Sequence, residues 1–206
     1  VSFEREREQL VSKLRNRGLE ERVCAAVGRV PRHAFVGAER RSQAYHDQPL
    51  PIGDGQTISA PHVIALMTER LDLSSGMELL EIGTGCGYHA AVTAELVGPE
   101  NVSTVELSGA LGHSARRRLE EVGYEEISVR VGDGREGWPA NAPYDAVYLA
   151  CACESFPSPL LEQLREGGQI LGPVGTGSQQ LVSGKKQADG TLSTEQLSHV
   201  RFVEMQ

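Results

Sequence analysis

Two amphipathic stretches open the chain. In Val1–Arg17 the apolar Phe3, Leu10 and Leu14 fall near one helical face among Arg and Glu, and Gly18 closes the pattern. Glu20–Val30 repeats it with Val23, Val27 and Val30 until Pro31 stops it. Together they are expected to cap the main body, with a share in a substrate site as the alternative. Arg32–Ile58 then loses periodicity and gathers turn formers around His33, Tyr45, His46 and Asp47. A long irregular polar segment that keeps aromatics and prolines is expected to be ordered, as a lid or substrate-binding loop. From Pro61 to about Leu71 a helical stripe returns with Val63, Leu66, Met67 and Leu71. Ser59 stands where an N-cap belongs and Pro61 suits the first turn. Ser59 is thus either a plain cap or a cap set beside an active site, and His62 either packs or meets substrate.

Beyond Met77 the periods alternate. Strands are expected at Met77–Ile82, Asn101–Glu106, Ile127–Val131 and Tyr144–Ala150, with helices near Tyr88–Leu96 and Gly109–Val122 between them. Such alternation predicts an α/β fold with a mostly parallel sheet covered on both faces, whose ligands collect at the carboxyl ends of the strands. The tail reads as a helix near Pro157–Leu164, then strands Gln169–Val174, Gln179–Lys186 and near Leu197–Val203, the last two antiparallel across Asp189-Gly190. No repeat or low-complexity linker divides the chain. One domain over residues 1–206 is expected, with 1–60 as an N-terminal helical cap and substrate loop.

The pattern is most specific at Met77–His89, MELLEIGTGCGYH, where an apolar run ends in Gly83, Gly85 and Gly87 and a helix follows at once. Glycines allow unusual dihedrals and a close ligand, and the helix start beyond them offers free N–H groups. A nucleotide-like cofactor is the first expectation. The G-x-G-x-G spacing differs from the dinucleotide fingerprint, and Glu81 just upstream would repel phosphate while attracting an amine or cation. Both favour S-adenosyl-L-methionine over a nicotinamide dinucleotide. Glu106 is placed to accept ribose hydroxyls and Asp133, beside Gly134, to accept from the adenine amino group.

Composition narrows the class. No run of the 206 residues is long and apolar enough for a membrane span, and no signal-peptide pattern is seen, so a soluble intracellular protein is expected. A net charge of -8 argues against a broad nucleic-acid-binding face. Cys151 and Cys153 fit neither a redox pair nor a zinc knuckle, so no metal is expected, and Cys86 reads as a small residue tolerated near the ligand.

Several segments then carry a specific likeness: VPRHAFV at Val30–Val36, AYHDQPLPIGDGQTISAPH at Ala44–His62, LLEIGTGCGYHAA at Leu79–Ala91, VGDGREGWP at Val131–Pro139, YDAVYLACA at Tyr144–Ala152 and LLEQLREGGQILGPVG at Leu160–Gly175. The chain resembles the protein-L-isoaspartate O-methyltransferases along nearly its whole length, most particularly in GQTISAP. The resemblance implies a Rossmann-like class I methyltransferase with a seven-stranded, mostly parallel sheet. It implies a cytoplasmic monomer that uses S-adenosyl-L-methionine, yielding S-adenosyl-L-homocysteine, to methylate the free α-carboxyl of L-isoaspartyl residues in proteins and peptides, without nucleic-acid or membrane partners. By matching segment it places the active-site serine at Ser59. The same matching puts cofactor contacts at Thr57, Ile58, Ser59, Ala60, Glu81, Gly83, Thr84, Gly85, Gly87, Glu106, Asp133 and Gly134. For the polypeptide substrate the candidates are Ser59, Ala60, His62, the loop Tyr45–Asp54, Val174, Gly175 and Val200–Val203. Cys86 and His89 depart from the residues commoner in such loops, and Gly109 and Gly112 are expected to disturb the first turn of the helix after Glu106. The acceptor carboxylate is ionised near neutral pH, so no strong base is required.

Overall fold

A computed structural model describes residues 2–206; Val1, included in the first predicted helix, lies outside them. Helices α1 (Glu4–Asn16) and α2 (Glu21–Arg29) bury Leu10, Leu14, Val23 and Val27. The aperiodic segment after them is ordered by two short 3-10 turns, Arg32–Phe35 and Ala38–Gln43, and by a hairpin of β1 (Leu50–Gly53) and β2 (Gln56–Ile58). That hairpin was not expected from periodicity. Its turn, Asp54-Gly55, takes positive φ at both residues, the geometry a two-residue hairpin demands.

Helix α3 (Pro61–Arg70) corrects two expectations. Its N-cap is Ala60, with no side-chain cap of its own, so Ser59 is not the cap. Asp47 takes that part from outside, accepting the His62 N–H at 3.0 Å. The buried stripe runs through Ile64, Met67, Thr68 and Leu71, whereas Val63 and Leu66 are only half-buried.

The large sheet holds β3 (Leu79–Ile82), β4 (Val102–Glu106), β5 (Ser128–Val131), β6 (Tyr144–Leu149), β7 (Leu164–Val174), β8 (Gln179–Lys186) and β9 (Leu192–Val200). Its order is β5-β4-β3-β6-β7-β8-β9, parallel from β5 to β7 and antiparallel from there to β9. Between the strands run α4 (Tyr88–Val97), α5 (Gly109–Glu121) and the short α6 (Ser158–Glu162). The central strand β3 is buried at every position because both faces are covered. Leu79 joins a cluster with Leu14, Val27, Met67, Ala91 and Tyr148, while Leu80 and Ile82 join Val105, Val147, Leu149 and Ile170 on the other face.

Three more expectations shift. The first turn of α5 is regular despite Gly109 and Gly112, because the Ser108 hydroxyl caps it by accepting the Leu111 N–H at 3.2 Å. Strand β7 begins at Leu164, before Gly167-Gly168, with a register irregularity against β6. Strand β9 begins at Leu192 and ends at Val200, short of Val203.

Candidate active site

The strand order reverses direction between β3 and β6, and in open α/β sheets that switch leaves a crevice beyond the carboxyl ends. A cavity of about 290 Å³ lies there. The β3–α4 loop forms its rim: Gly83, Gly85 and Gly87 take φ of 94°, 54° and 92°, a region that strains any residue with a Cβ. At Gly85 a Cβ would also stand 3.2 Å from Ile52 of the β1–β2 hairpin, so the hairpin lies directly over the loop. Glu106, ending β4, accepts the Gly85 N–H at 2.7 Å and the Ser108 N–H at 3.0 Å. The carboxylate thus ties two loops together and keeps further lone pairs for a ligand's hydroxyls.

Glu81 is fully buried at the cavity's base. The register of β3 with β4 and β6 sets it opposite Thr104 and Tyr148, whose hydroxyls donate to it at 2.6 and 2.9 Å. Burial pushes its carboxyl up to about 8 in spite of those two donors. His89, from the first turn of α4, shares a hydrogen bond of 3.2 Å with Thr68 and lies against the Tyr148 ring. Burial drives it down to about 3, so it is neutral. Cys86 and Cys151 also line the cavity, and burial raises both thiols, Cys151 to about 12; they are inert thiols rather than nucleophiles.

Another part of the wall is Gln56, Thr57, Ile58 and Ser59, from β2 and the residue after it. Val203–Gln206 close a third side, pinned by Ala152 N–H to the Val203 carbonyl at 2.8 Å and Met205 N–H to the Ala152 carbonyl at 2.7 Å. Of the expected contacts, the structure brings together Thr57, Ile58, Ser59, Glu81, Gly83, Thr84, Gly85, Glu106 and Gly134. Ala60, Gly87, Asp133, His62, Val174 and Gly175 are not on its surface. Asp133 instead pairs with Arg135 at 2.8 Å, which holds its carboxyl below the ordinary range. His62 bonds Asp47 through Nδ1 at 2.8 Å, and the Gly175 N–H is given to the Cys153 carbonyl. Asp54 and Val203, at the ends of the expected loop Tyr45–Asp54 and segment Val200–Val203, also line it, whereas sequence reasoning missed Gln56, Tyr88, Leu107, Ser108, Ala150 and Glu204–Gln206 as lining residues.

The lining holds four carboxyl side chains, Asp54, Glu81, Glu106 and Glu204, and neither lysine nor arginine. That donor set suits a nucleoside that carries positive charge and no phosphate, as S-adenosyl-L-methionine does, and opposes a dinucleotide.

The family model of protein-L-isoaspartate(D-aspartate) O-methyltransferase matches residues 5–206. The chain is 50% identical over 198 residues to a protein-L-isoaspartate O-methyltransferase of Methanothrix thermoacetophila, covering 96% of this chain and 93% of that protein. It is 48% identical over 187 residues to protein-L-isoaspartate O-methyltransferase 2 of Polaromonas sp., covering 90% and 88%. Among solved structures, a protein-L-isoaspartate O-methyltransferase superposes with a TM-score of 0.90 at 31% identity, over 96% of this chain and 65% of that one. Similarity to a Plasmodium falciparum structure that holds S-adenosyl-L-homocysteine, at 24% identity and a TM-score of 0.84, covers 96% and 97% and bears on the fold alone.

Proposed function

The chain belongs to the protein-L-isoaspartate(D-aspartate) O-methyltransferase family, and from that membership we propose how its cavity is used. It is an enzyme that methylates L-isoaspartyl residues of damaged proteins with S-adenosyl-L-methionine. The observation that carries the assignment of roles is that one cavity is lined both by the glycine loop with Glu106 and by the stretch Thr57–Ser59.

Glu106 takes the ribose hydroxyls, and the loop Glu81–Gly85 takes the amino-acid end, where Glu81 answers an ammonium group. Asp133 is not on the cavity surface, so the adenine is held through Gly134 and its neighbours unless the Asp133–Arg135 pair opens. When bound, S-adenosyl-L-methionine supplies an electrophilic methyl carbon on a sulfonium. Ser59 offers its hydroxyl to the acceptor carboxylate, which needs no base because it is already ionised. The chain's contribution is alignment and exclusion of water, the latter through the hairpin and Val203–Gln206. Residues 1–60 serve as cap and substrate wall of one domain. The enzyme is read as a cytoplasmic monomer acting on proteins and peptides. Its charge of -8 speaks against a nucleic-acid partner, and among the described residues no helix is long and apolar enough to cross a membrane.

Two peptides that differ only in one isoaspartyl or aspartyl linkage test the assignment. Labelled, base-labile ester on the isoaspartyl peptide alone is expected. Equal labelling of both would overturn the substrate reading.

A further inference from the structure

The acceptor in this reaction is an anion, yet among the described residues the cavity wall carries carboxyl side chains and neither lysine nor arginine. A positive charge stands behind the wall. Arg32 is 0% exposed, in the first 3-10 turn. Its Nε donates to the Ala44 carbonyl at 2.8 Å, and Nη2 donates to the Ser59 carbonyl at 2.8 Å and the Gln48 carbonyl at 3.4 Å. Its guanidinium carbon lies 4.9 Å from the centre of the Tyr88 ring. Ser59 and Tyr88 both line the cavity, so Arg32 is separated from it by one residue on either side.

Arginine does not give up its proton in proteins, although burial lowers its affinity for it here. A buried cation normally pairs with a carboxylate, because leaving it alone in a low-dielectric interior is costly. Arg32 makes no ion pair among the described residues. Asp47, whose charge reaches it through space, is already bound to Arg17 at 2.7 Å and to His62. The Arg32 Nη1 and the Tyr88 hydroxyl are both buried without a hydrogen bond of regular geometry, and the two side chains interact with each other. A cation with three carbonyls, one aromatic face and no counter-ion, set behind the serine that meets an anion, is incomplete until that anion arrives.

We infer that Arg32 is a positioning residue for the isoaspartyl carboxylate: it anchors the Ser59 peptide by its carbonyl and supplies, from behind that wall, the counter-charge that the cavity lining lacks. The inference rests on the methyl-acceptor reading above. It makes the affinity for the acceptor depend on the acceptor's charge, and it leaves the cofactor half of the cavity largely to the glycine loop.

The test uses the S-adenosyl-L-homocysteine-loaded protein and two ligands, an isoaspartyl peptide and the same peptide with its isoaspartyl α-carboxylate converted to a carboxamide. Calorimetry gives the affinity of each for wild type, Arg32→Lys and Arg32→Met. Wild type is expected to prefer the carboxylate by about tenfold or more, Arg32→Lys to keep most of that preference, and Arg32→Met to lose it, since a charge at this range acts through few intervening atoms. S-adenosyl-L-homocysteine affinity should stay within about threefold in both variants. A loss that is equal for both peptides means a merely structural role and overturns the inference, as does a preference that survives in Arg32→Met. Should Arg32→Met fail to fold, the Arg32 Nε–H resonance of wild type decides. It is expected to shift on adding the carboxylate peptide and not the carboxamide; identical responses overturn the inference. Wild type that methylates isoaspartyl peptide while failing these tests sinks only the role of Arg32, whereas wild type that does not methylate it sinks the reading beneath as well.

Discussion

On the sheet side of the cavity, Glu81 and Glu106 stand near the ends of neighbouring strands, and register alone brings Thr104 and Tyr148 to the first and the turns beyond β3 and β4 to the second. On the hairpin side, Ser59 is fixed by a guanidinium 27 positions upstream, and the helix it precedes is capped by Asp47 from another loop. One wall is assembled by repeating geometry and the other by single long-range bonds. The first suits a cofactor of constant shape. The second suits an acceptor embedded in varied polypeptide, where one carboxylate must be recognised and little else.

The largest test of this contrast concerns Glu81. Its folded carboxyl titrates at about 8 against an ordinary 4.5, with burial as the main cause. Between those values the unfolded chain has lost a proton that the folded chain keeps, so the unfolded state binds fewer protons and stability falls as pH rises through the window. Above about 8 both states have lost it and the decline stops. Glu81→Gln removes that slope, and at the alkaline end the variant is expected to exceed wild type by an amount on the order of a few kcal/mol. Thermal unfolding across the window checks it. Parallel curves for the two proteins would mean that Glu81 is ionised in the folded state.

Next come the two walls themselves. Glu106→Ala removes two charge-assisted bonds to loop N–H groups and the acceptor proposed for ribose, and should weaken S-adenosyl-L-homocysteine by about 100-fold. Turnover at saturating cofactor should stay within about fivefold of wild type. Ser59→Ala should show the reverse, with turnover down by about 100-fold and cofactor affinity within about twofold. Calorimetry and steady-state rates separate the two. If both variants lose cofactor affinity alike, the walls do not divide the work as described.

The same contrast explains what could be read from the chain beforehand. The parallel strands, the glycine turn, Glu81, Glu106 and the hairpin at Asp189-Gly190 were legible because each is a local pattern with a fixed period or a fixed turn. The β1–β2 hairpin was legible in principle from Asp54-Gly55, yet strands of four and three residues leave too few positions for alternation to register. Ser59 had every local mark of an N-cap, but its carbonyl is held by Arg32, and Asp47 satisfies the helix start. No local pattern announces such bonds. The closure by Val203–Gln206 depends on pairing with Ala152, about 50 residues away, and left no mark beyond a few apolar residues.

The smallest effect probes where the walls touch. Ser108 caps α5 through its hydroxyl oxygen and donates the same hydroxyl to the Asp54 carboxylate at 2.6 Å, joining the hairpin tip to the sheet side. Ser108→Ala removes both bonds and should lower the melting temperature by about 2–4 °C, as a lost cap does in a domain of this size. Asp54→Gly removes only the tether. Asp54 has a φ of 49°, so glycine relieves left-handed strain while adding freedom to the unfolded chain, and the two effects oppose each other. Its melting temperature should therefore move by no more than about 1 °C. Both variants should release S-adenosyl-L-homocysteine about threefold faster in stopped-flow displacement, because the lost bond is a single exposed one. Equal release rates with unequal stability would assign retention to the tether. Faster release from Ser108→Ala alone would assign it to the α5 cap and leave the hairpin a wall that does not hold the cofactor in.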